Sequence, residues 1–245
     1  MTVNEIKEIK QLQSKKGREE SGLFIVEGEK LVREALASEF DVVKVLREEE
    51  IGATAMARIS ALTTPSPVLA VVRERLWSLD PEKLGNGLYL ALDGIRDPGN
   101  LGTIIRIADW FGIDGILASP DTVELFNPKV VQATMGAIFR VPFAYTDIPE
   151  ACRRIAFRGG DIFGTFLDES SESLYEAASL AHKDRPAVIV IGNESNGISA
   201  ETAATVTRRI FIPPFPAGER TSESLNAAVA TAITVAEFRR RANEE

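Results

Sequence analysis

From residue 87 onward, six short apolar runs alternate with segments of helical pattern, and few folds accommodate that alternation. The runs are "GLYLALDG", "GILAS", "VPFAYT", "GDIFGTF", "PAVIVIG" and "RIFIPP". Between them the apolar spacing predicts helices near 101–111, 128–138, 148–158, 171–180 and 198–205, with a last helix over roughly 223–241. Strands separated by helices predict an α/β fold with a parallel sheet covered on both faces. The uncharged "AVIVI" suits a central strand buried on both sides. Sheets of this kind take ligands beyond the carboxyl ends of their strands, which directs attention to the strand-to-helix junctions.

The first 85 residues read as a smaller α/β unit. "NEIKEIKQLQSKK" is helical, and "GLFIVEG", "FDVVKVLRE" and "SPVLAVVRE" are strand-like. In "EKLVREALAS", positions 31, 32, 35 and 36 fall on one helical face. The charged stretch 72–87, with Pro81 and the turn Gly85-Asn86-Gly87, reads as a linker. A boundary near residue 85 gives domains 1–85 and 86–245.

Composition removes several chemistries. His182 and Cys152 are the single histidine and the single cysteine. One chain therefore offers no disulfide, no zinc cluster and no Ser-His-Asp or Cys-His site, and no metal is expected. His182 lies in the polar "AHKDRP" and reads as a surface loop residue. No apolar run reaches the roughly 18 residues of a membrane span, and the first residues lack a signal-peptide core, so a cytoplasmic location is expected. The formal net charge of −8 argues against broad non-specific nucleic-acid binding. Residues 7–18 nevertheless carry Lys7, Lys10, Lys15, Lys16 and Arg18 against Glu8 alone. They make either a solvated helix face or a local basic patch.

Three glycine-bearing junctions carry the chemistry. In "DGIRDPGNLGTIIR", Asn100 fits a helix N-cap, and Gly102 and Arg106 share a helix face at i and i+4. Arg106 is then either an anion or hydroxyl clamp or a surface partner of Asp109. In "VIVIGNESNGIS", a buried strand runs into Gly192-Asn193-Glu194, and Gly197 opens the next helix. The glycines suit a tight turn; a charged Glu194 at the strand end points to a site. In "RIFIPPFPAGERTSESLNAAVATAI", three prolines hold an extended segment and a helix starts near 222–224. That start puts Ser224 and Asn226 in the first turn beside free amides. Ala228, Ala232 and Ala236 recur every four residues, from close helix approach or from helix propensity alone. Neither G-x-G-x-x-G after a first strand nor G-x-x-x-x-G-K-[ST] occurs, which leaves dinucleotide and nucleotide triphosphate readings without their main support.

Taken in order, "DPGNLGTIIRIADWFG", "VIVIGNESNGIS" and "SLNAAVATAI" resemble the three motifs of the SpoU/TrmH branch of the SPOUT RNA methyltransferases. The likeness covers about 88–240. "KKGREESGLFIVEGEKLVREAL" and "SPVLAVV" are similar to the L30e-like substrate-binding domain that precedes many of these enzymes. The resemblance implies a trefoil knot, an exception to unknotted topology, a homodimer, and methyl transfer from S-adenosyl-L-methionine to a ribose 2′-hydroxyl of RNA. It places Asn100, Arg106, Glu194, Ser224 and Asn226 at active-site positions. Gly192, Asn193, Gly197, Ile212 and Leu225 fall in its cofactor-contact segments. The run from Pro213 to Glu223 is longer than usual in the family, and Arg220 within it is a candidate RNA contact.

The resemblance also implies Arg106 as the base. Because arginine normally stays protonated, Arg106, oriented by Asn100 and Glu194, is read as positioning the hydroxyl or its neighbouring phosphate and stabilising the developing alkoxide, with either Arg106 or water accepting the proton. An attached L30e-like domain favours rRNA over tRNA as substrate. Two rivals stand beside this reading: an inactive RNA-binding protein on the same fold, and a nucleotide-dependent oxidoreductase.

Overall fold

A computed structural model of the chain describes residues 1–167, 171–178, 184–215 and 224–242, the side chains of 241 and 242 excepted. His182 and Arg220 lie outside the described residues. The chain divides into two compact units, and the division does not follow sequence order: Met1–Arg75, Leu101–Arg106 and Val123–Arg140 form one, Leu76–Asn100, Ile107–Thr122 and Val141–Glu245 the other.

The first unit opens with helices α1 (Val3–Gln11) and α2 (Lys15–Ser21). The sequence pattern suggests one helix here. The chain breaks because Ser14 caps the second, accepting from the Gly17 N–H at 3.1 Å. Strand β1 (Leu23–Glu27), helix α3 (Glu29–Leu36), strand β2 (Val42–Arg47), helices α4 (Glu48–Ile51) and α5 (Ala53–Ile59) and strand β3 (Val68–Arg73) follow. Among the described residues the strands form a three-stranded antiparallel sheet in the order β1-β3-β2. Alternation on β1 supplies two cores. Ile25 packs with Ile6, Ile9, Leu12, Met56 and Ile59. Phe24 points to the opposite face and meets Phe126 at a centroid distance of 4.6 Å and Phe40 at 6.3 Å.

Strand β4 (Gly87–Asp93) begins the second sheet. Helix α6 (Pro98–Trp110), strand β5 (Gly115–Ala118), helix α7 (Pro128–Thr134), strand β6 (Phe143–Tyr145), helix α8 (Ile148–Phe157) and strand β7 (Asp161–Thr165) come next. Strand β8 (Glu172–Ser173), helix α9 (Leu174–Ala177), strand β9 (Pro186–Gly192), helix α10 (Ala200–Ala203), strand β10 (Arg208–Phe211) and helix α11 (Ala227–Ala242) complete the chain. The helical pattern at 171–180 thus holds a two-residue edge strand before its short helix.

Among the described residues this sheet has seven strands, ordered β6-β5-β4-β9-β7-β10-β8, and every neighbouring pair is parallel. From β4 the chain moves outward to β5 and β6. It then crosses to β7 on the far side, and β9 later fills the gap beside β4. The order therefore reverses between β4 and β7, where open α/β sheets place ligands.

Burial explains why β9 is central. Residues Ala187 through Ile191 are all buried, each large one gaining roughly 1.5–3 kcal/mol from leaving water. Val188 and Val190 face Ile148, Cys152 and Ile155 of α8. On the other face Phe163 of β7 meets Phe238 of α11 at 4.9 Å. The buried stripe of α11 runs through Ala228, Thr231, Thr234, Val235 and Phe238. The repeating alanines 232 and 236 are only half-buried beside it, so that repeat does not define the seam. No helix among the described residues is long and apolar enough to cross a membrane.

Candidate active site

Strand β4 ends at Asp93, whose partner across the sheet is Gly192 at the end of β9. The two turns that follow are thereby placed side by side. After β4, Asp97 caps α6 by accepting from the Asn100 N–H at 2.8 Å, and Pro98 stands at the first helical position. This corrects the expectation that Asn100 is the cap. Asn100 is third in the helix, and its side chain is released from capping.

That side chain is used across the fold. Asn100 Nδ2 donates to Glu194 Oε1 at 2.6 Å, and Asn100 Oδ1 accepts from Asn226 Nδ2 at 2.8 Å. Asn226 Oδ1 in turn accepts from the N–H groups of Ala228 (3.0 Å) and Val229 (3.2 Å). The orientation of every amide follows from this chain. Helix α11 requires the Asn226 oxygen, so its NH2 must face Asn100, whose own NH2 then faces the carboxylate. Helix α11 accordingly starts at Ala227 and not near 222–224. Ser224 lies before it, exposed, outside the first turn in which the sequence pattern puts it.

The turn after β9 is closed by Asn193. Its backbone exchanges two hydrogen bonds with Gly197, both 2.9 Å. Its Oδ1 accepts from the N–H groups of Ser195 and Asn196, and its Nδ2 donates to the Gly94 carbonyl at 2.7 Å. Gly192 is required here, because a Cβ would stand 2.2 Å from the Gly197 carbonyl carbon and 2.3 Å from the Ile198 nitrogen. Gly197 has φ +67°, in the left-handed region. A second cross-link joins Asp93 Oδ2, as acceptor, to the Ser199 N–H at 2.8 Å. Below the β4 turn, Ser119 Oγ accepts from the Gly94 N–H and donates to Asp121, whose carboxyl is held below its ordinary range chiefly by that hydroxyl.

These turns border a cleft of about 940 Å³. Gly192, Asn193, Gly197, Ile212 and Leu225, the five cofactor-segment residues, all line it, as do Glu194 and Ser224. Phe166, Ile198 and Phe211 add apolar wall. The size falls within the roughly 300–1,000 Å³ usual for small-molecule sites.

Arg106 is placed differently. It is exposed on α6, about 9 Å along the helix axis from Asn100 and roughly 120° around it. It makes no hydrogen bond or ion pair with any described residue, Asp109 included. Asn100 and Glu194 bond to each other. Gly102 is not open to a substrate: a Cβ there would meet Ala133 Cβ at 2.4 Å and the Val130 carbonyl at 2.8 Å, so it admits helix α7.

Arg18 also departs from the sequence reading. Arg18 is 1% exposed and forms a bidentate pair with Glu124 (2.7 and 2.6 Å) while donating to the Leu12 carbonyl at 2.7 Å. It therefore cannot belong to a basic patch. Cys152 is buried under the sheet, and burial pushes its thiol up to about 11. Asp97 and Asp93, whose bonds set the turns, carry only a weak sequence signal: an acid directly before Pro-Gly, and an acid at a strand end. No group of three or more His, Cys, Asp or Glu among the described residues could hold a metal ion.

Residues 87–236 match the SpoU rRNA Methylase family, and residues 4–79 match the MRM3-like substrate binding domain. The 23S rRNA (guanosine(2553)-2′-O)-methyltransferase RlmP of Bacillus subtilis is 29% identical over 252 residues, covering 96% of this chain and 95% of that one. A solved putative RNA methyltransferase of the TrmH family from Porphyromonas gingivalis superposes with a TM-score of 0.83 at 38% identity, over 98% of this chain and 99% of that one. An AdoMet-bound rRNA methyltransferase from Sinorhizobium meliloti gives 0.82 at 31% identity, over 98% and 96%.

Proposed function

The chain belongs to the SpoU rRNA methylase family, and from that premise we propose its reaction: transfer of the methyl group of S-adenosylmethionine to a ribose 2′-hydroxyl of ribosomal RNA in the cytoplasm. One observation carries the reading. The hydrogen-bonded line Asn226–Asn100–Glu194 joins three segments distant in sequence at the rim of the cleft, beside the point where strand order reverses. The relative from Bacillus subtilis, similar over nearly its whole length, is named for such a reaction on 23S rRNA.

The cleft suits the cofactor. Its turn offers backbone groups at Asn193 and Gly197, and its walls at Phe166, Ile198, Ile212 and Leu225 are apolar, a lining fit for adenosine. Glu194 supplies the acidic group that a cationic sulfonium calls for. When bound, S-adenosylmethionine supplies a methyl group on a sulfonium, whose departure leaves a neutral thioether.

The chain's own part is mainly alignment, which can supply several kcal/mol. The remaining difficulty is a weakly acidic hydroxyl. Arginine side chains keep their proton at any accessible pH, so Arg106 is assigned to hold the hydroxyl or its neighbouring phosphate and to stabilise the alkoxide as water takes the proton. Its lack of a partner among the described residues leaves it available for RNA. Asn100 and Asn226 fix the Glu194 carboxylate, and Ser224 shapes the mouth of the cleft.

Residues 1–85 are assigned to RNA binding and 86–245 to transfer. With Arg18 buried, the affinity contributed near residue 18 falls to Lys7, Lys10, Lys15 and Lys16. The pairs Lys15–Glu19 (3.6 Å) and Lys16–Glu20 (3.7 Å) are exposed and cost little to open. A homodimer is supported by Trp110 on α6, 84% exposed, and by exposed Val229 on α11. A trefoil knot is supported by the return of Asn226, after β10, to Asn100, after β4, with β9 between them in the chain.

The test is a map of 2′-O-methyl sites in total RNA with and without the gene, together with Arg106→Ala. Loss of a site in rRNA, and a variant that binds S-adenosylmethionine but transfers nothing, are the expected results. A lost site in tRNA would move the substrate. Cofactor binding without transfer in the unaltered protein would leave a binding module.

A further inference from the structure

A second cavity lies wholly within the first unit, about 300 Å³ in volume. At its wall is Glu27, the last residue of β1 and only 4% exposed. Its carboxylate accepts from the Ser60 hydroxyl at 2.5 Å and from the Ala61 N–H at 2.7 Å, one bond to each oxygen. A carboxylate has about four acceptor sites, so two remain. Helix α7 contributes Gln132 and Lys129, whose side chains bond to no described residue. The other walls are apolar: Ile25, Leu62, Pro128 and Val131.

We infer that this cavity holds a guanine base of the substrate RNA. The inference rests on the reading of the protein as an RNA methyltransferase. An apolar-walled cavity of this size can take a base unstacked from its neighbours, and recognition then falls to its Watson–Crick edge. Guanine presents there an acceptor, O6, beside two donors, N1–H and the exocyclic amine. The cavity lining holds groups of the complementary kinds: the Gln132 amide as a donor and the two spare acceptor sites of Glu27. Adenine, with an acceptor at N1 and an amine at position 6, would set its acceptor against the carboxylate. Uracil supplies one donor where guanine supplies two. Lys129, exposed at the rim, is placed for the adjoining phosphate.

The cavity also has a fixed relation to α6. Ala133, which lines it, packs against Gly102, and Arg106 follows one turn later on the same helix face within the same unit. A base anchored here holds its strand beside the helix that bears the arginine assigned to the hydroxyl.

The test uses the full chain and fluorescence anisotropy with three labelled heptamers, UUUGUUU, UUUIUUU and UUUAUUU. Inosine lacks only the exocyclic amine. The guanosine heptamer should bind roughly tenfold more tightly than the other two, and Glu27→Gln should remove the preference. Gln132→Ala, on the helix surface, should narrow it and decides the matter should Glu27→Gln not fold. Lys129→Ala should weaken all three alike and flatten the salt dependence. Equal affinity for the three heptamers, or a preference untouched by both Glu27→Gln and Gln132→Ala, overturns the proposal. So does binding of free GMP as tight as that of the guanosine heptamer, which would make the cavity a nucleotide site. Cofactor calorimetry and transfer to total rRNA, run in parallel, separate the two readings. A lost preference with transfer intact refutes only the cavity; absent transfer in the unaltered protein with the preference intact refutes only the reaction.

Discussion

Asn100 donates to Glu194 across 94 positions of sequence, at 2.6 Å, because Asn226 has already fixed which way the Asn100 amide faces. The arrangement is directional: helix amides, Asn226 oxygen, Asn226 NH2, Asn100 oxygen, Asn100 NH2, carboxylate. Any change that reverses one amide reverses the demand on the next.

Replacing Asn100 by Asp tests that direction. The new carboxylate still accepts from Asn226 but confronts Glu194 with a like charge. Transfer should fall at least 100-fold, and further than in Asn100→Ala, which removes the bond without adding a charge. An Asn100→Asp variant no worse than Asn100→Ala would show that the pair is not coupled in this way.

Gly192 and Gly197 should respond unequally to alanine. At Gly192 the added carbon meets backbone atoms at 2.2 and 2.3 Å, which cannot swing aside. The turn must open, and cofactor affinity should drop more than tenfold by calorimetry. At Gly197 no atom lies within 4 Å of the added carbon, and the cost is the left-handed φ alone, about 1–2 kcal/mol. Cofactor affinity should there change by less than the Gly192 variant loses.

The buried Arg18–Glu124 pair predicts a contrast with its lysine neighbours. Arg18→Met strands the Glu124 carboxylate and the Leu12 carbonyl and should cost about 3–5 kcal/mol in urea unfolding. Arg18→Met combined with Glu124→Leu should recover much of that loss. Lys15→Ala and Lys16→Ala should each stay within about 0.5 kcal/mol while weakening RNA binding in a salt-dependent way.

Cys152 gives a pH dependence of known sign. Its thiol is raised from 9.0 to about 11, because burial disfavours the thiolate. The unfolded chain therefore ionises first, and the contribution is full below about pH 9 and lost as pH rises towards 11. Unfolding free energies of the native protein and of Cys152→Ala, compared between pH 8.5 and 10.5, should converge by roughly 1–3 kcal/mol. Thiol reagents at pH 8 should label Cys152 only after denaturation.

Much of this was readable before any coordinates. The six apolar runs became strands β4, β5, β6, β7, β9 and β10, because each holds a run of apolar residues of the length a parallel strand buries, with any charge at its end. The tight turn at Gly192-Asn193 followed from glycines at a strand end. Local signals misled where two residues competed for one duty. Both Asp97 and Asn100 can cap a helix; the aspartate before Pro98 took the cap and left the asparagine free. Arg18 looked like one more cation in a basic run, and nothing local says that Glu124, 106 positions later, encloses it.

The sequence by itself determined most of the elements and the tight turn after β9, since periodicity and turn residues act over a few positions. Tertiary structure alone decided the strand order, and with it that β9 enters beside β4. That insertion brings the ends of three distant segments to one rim and lets Asn226, Asn100 and Glu194 share protons in a single line. Their partners are fixed by parallel pairing and packing across nearly the whole second sheet, distances at which no local pattern carries information.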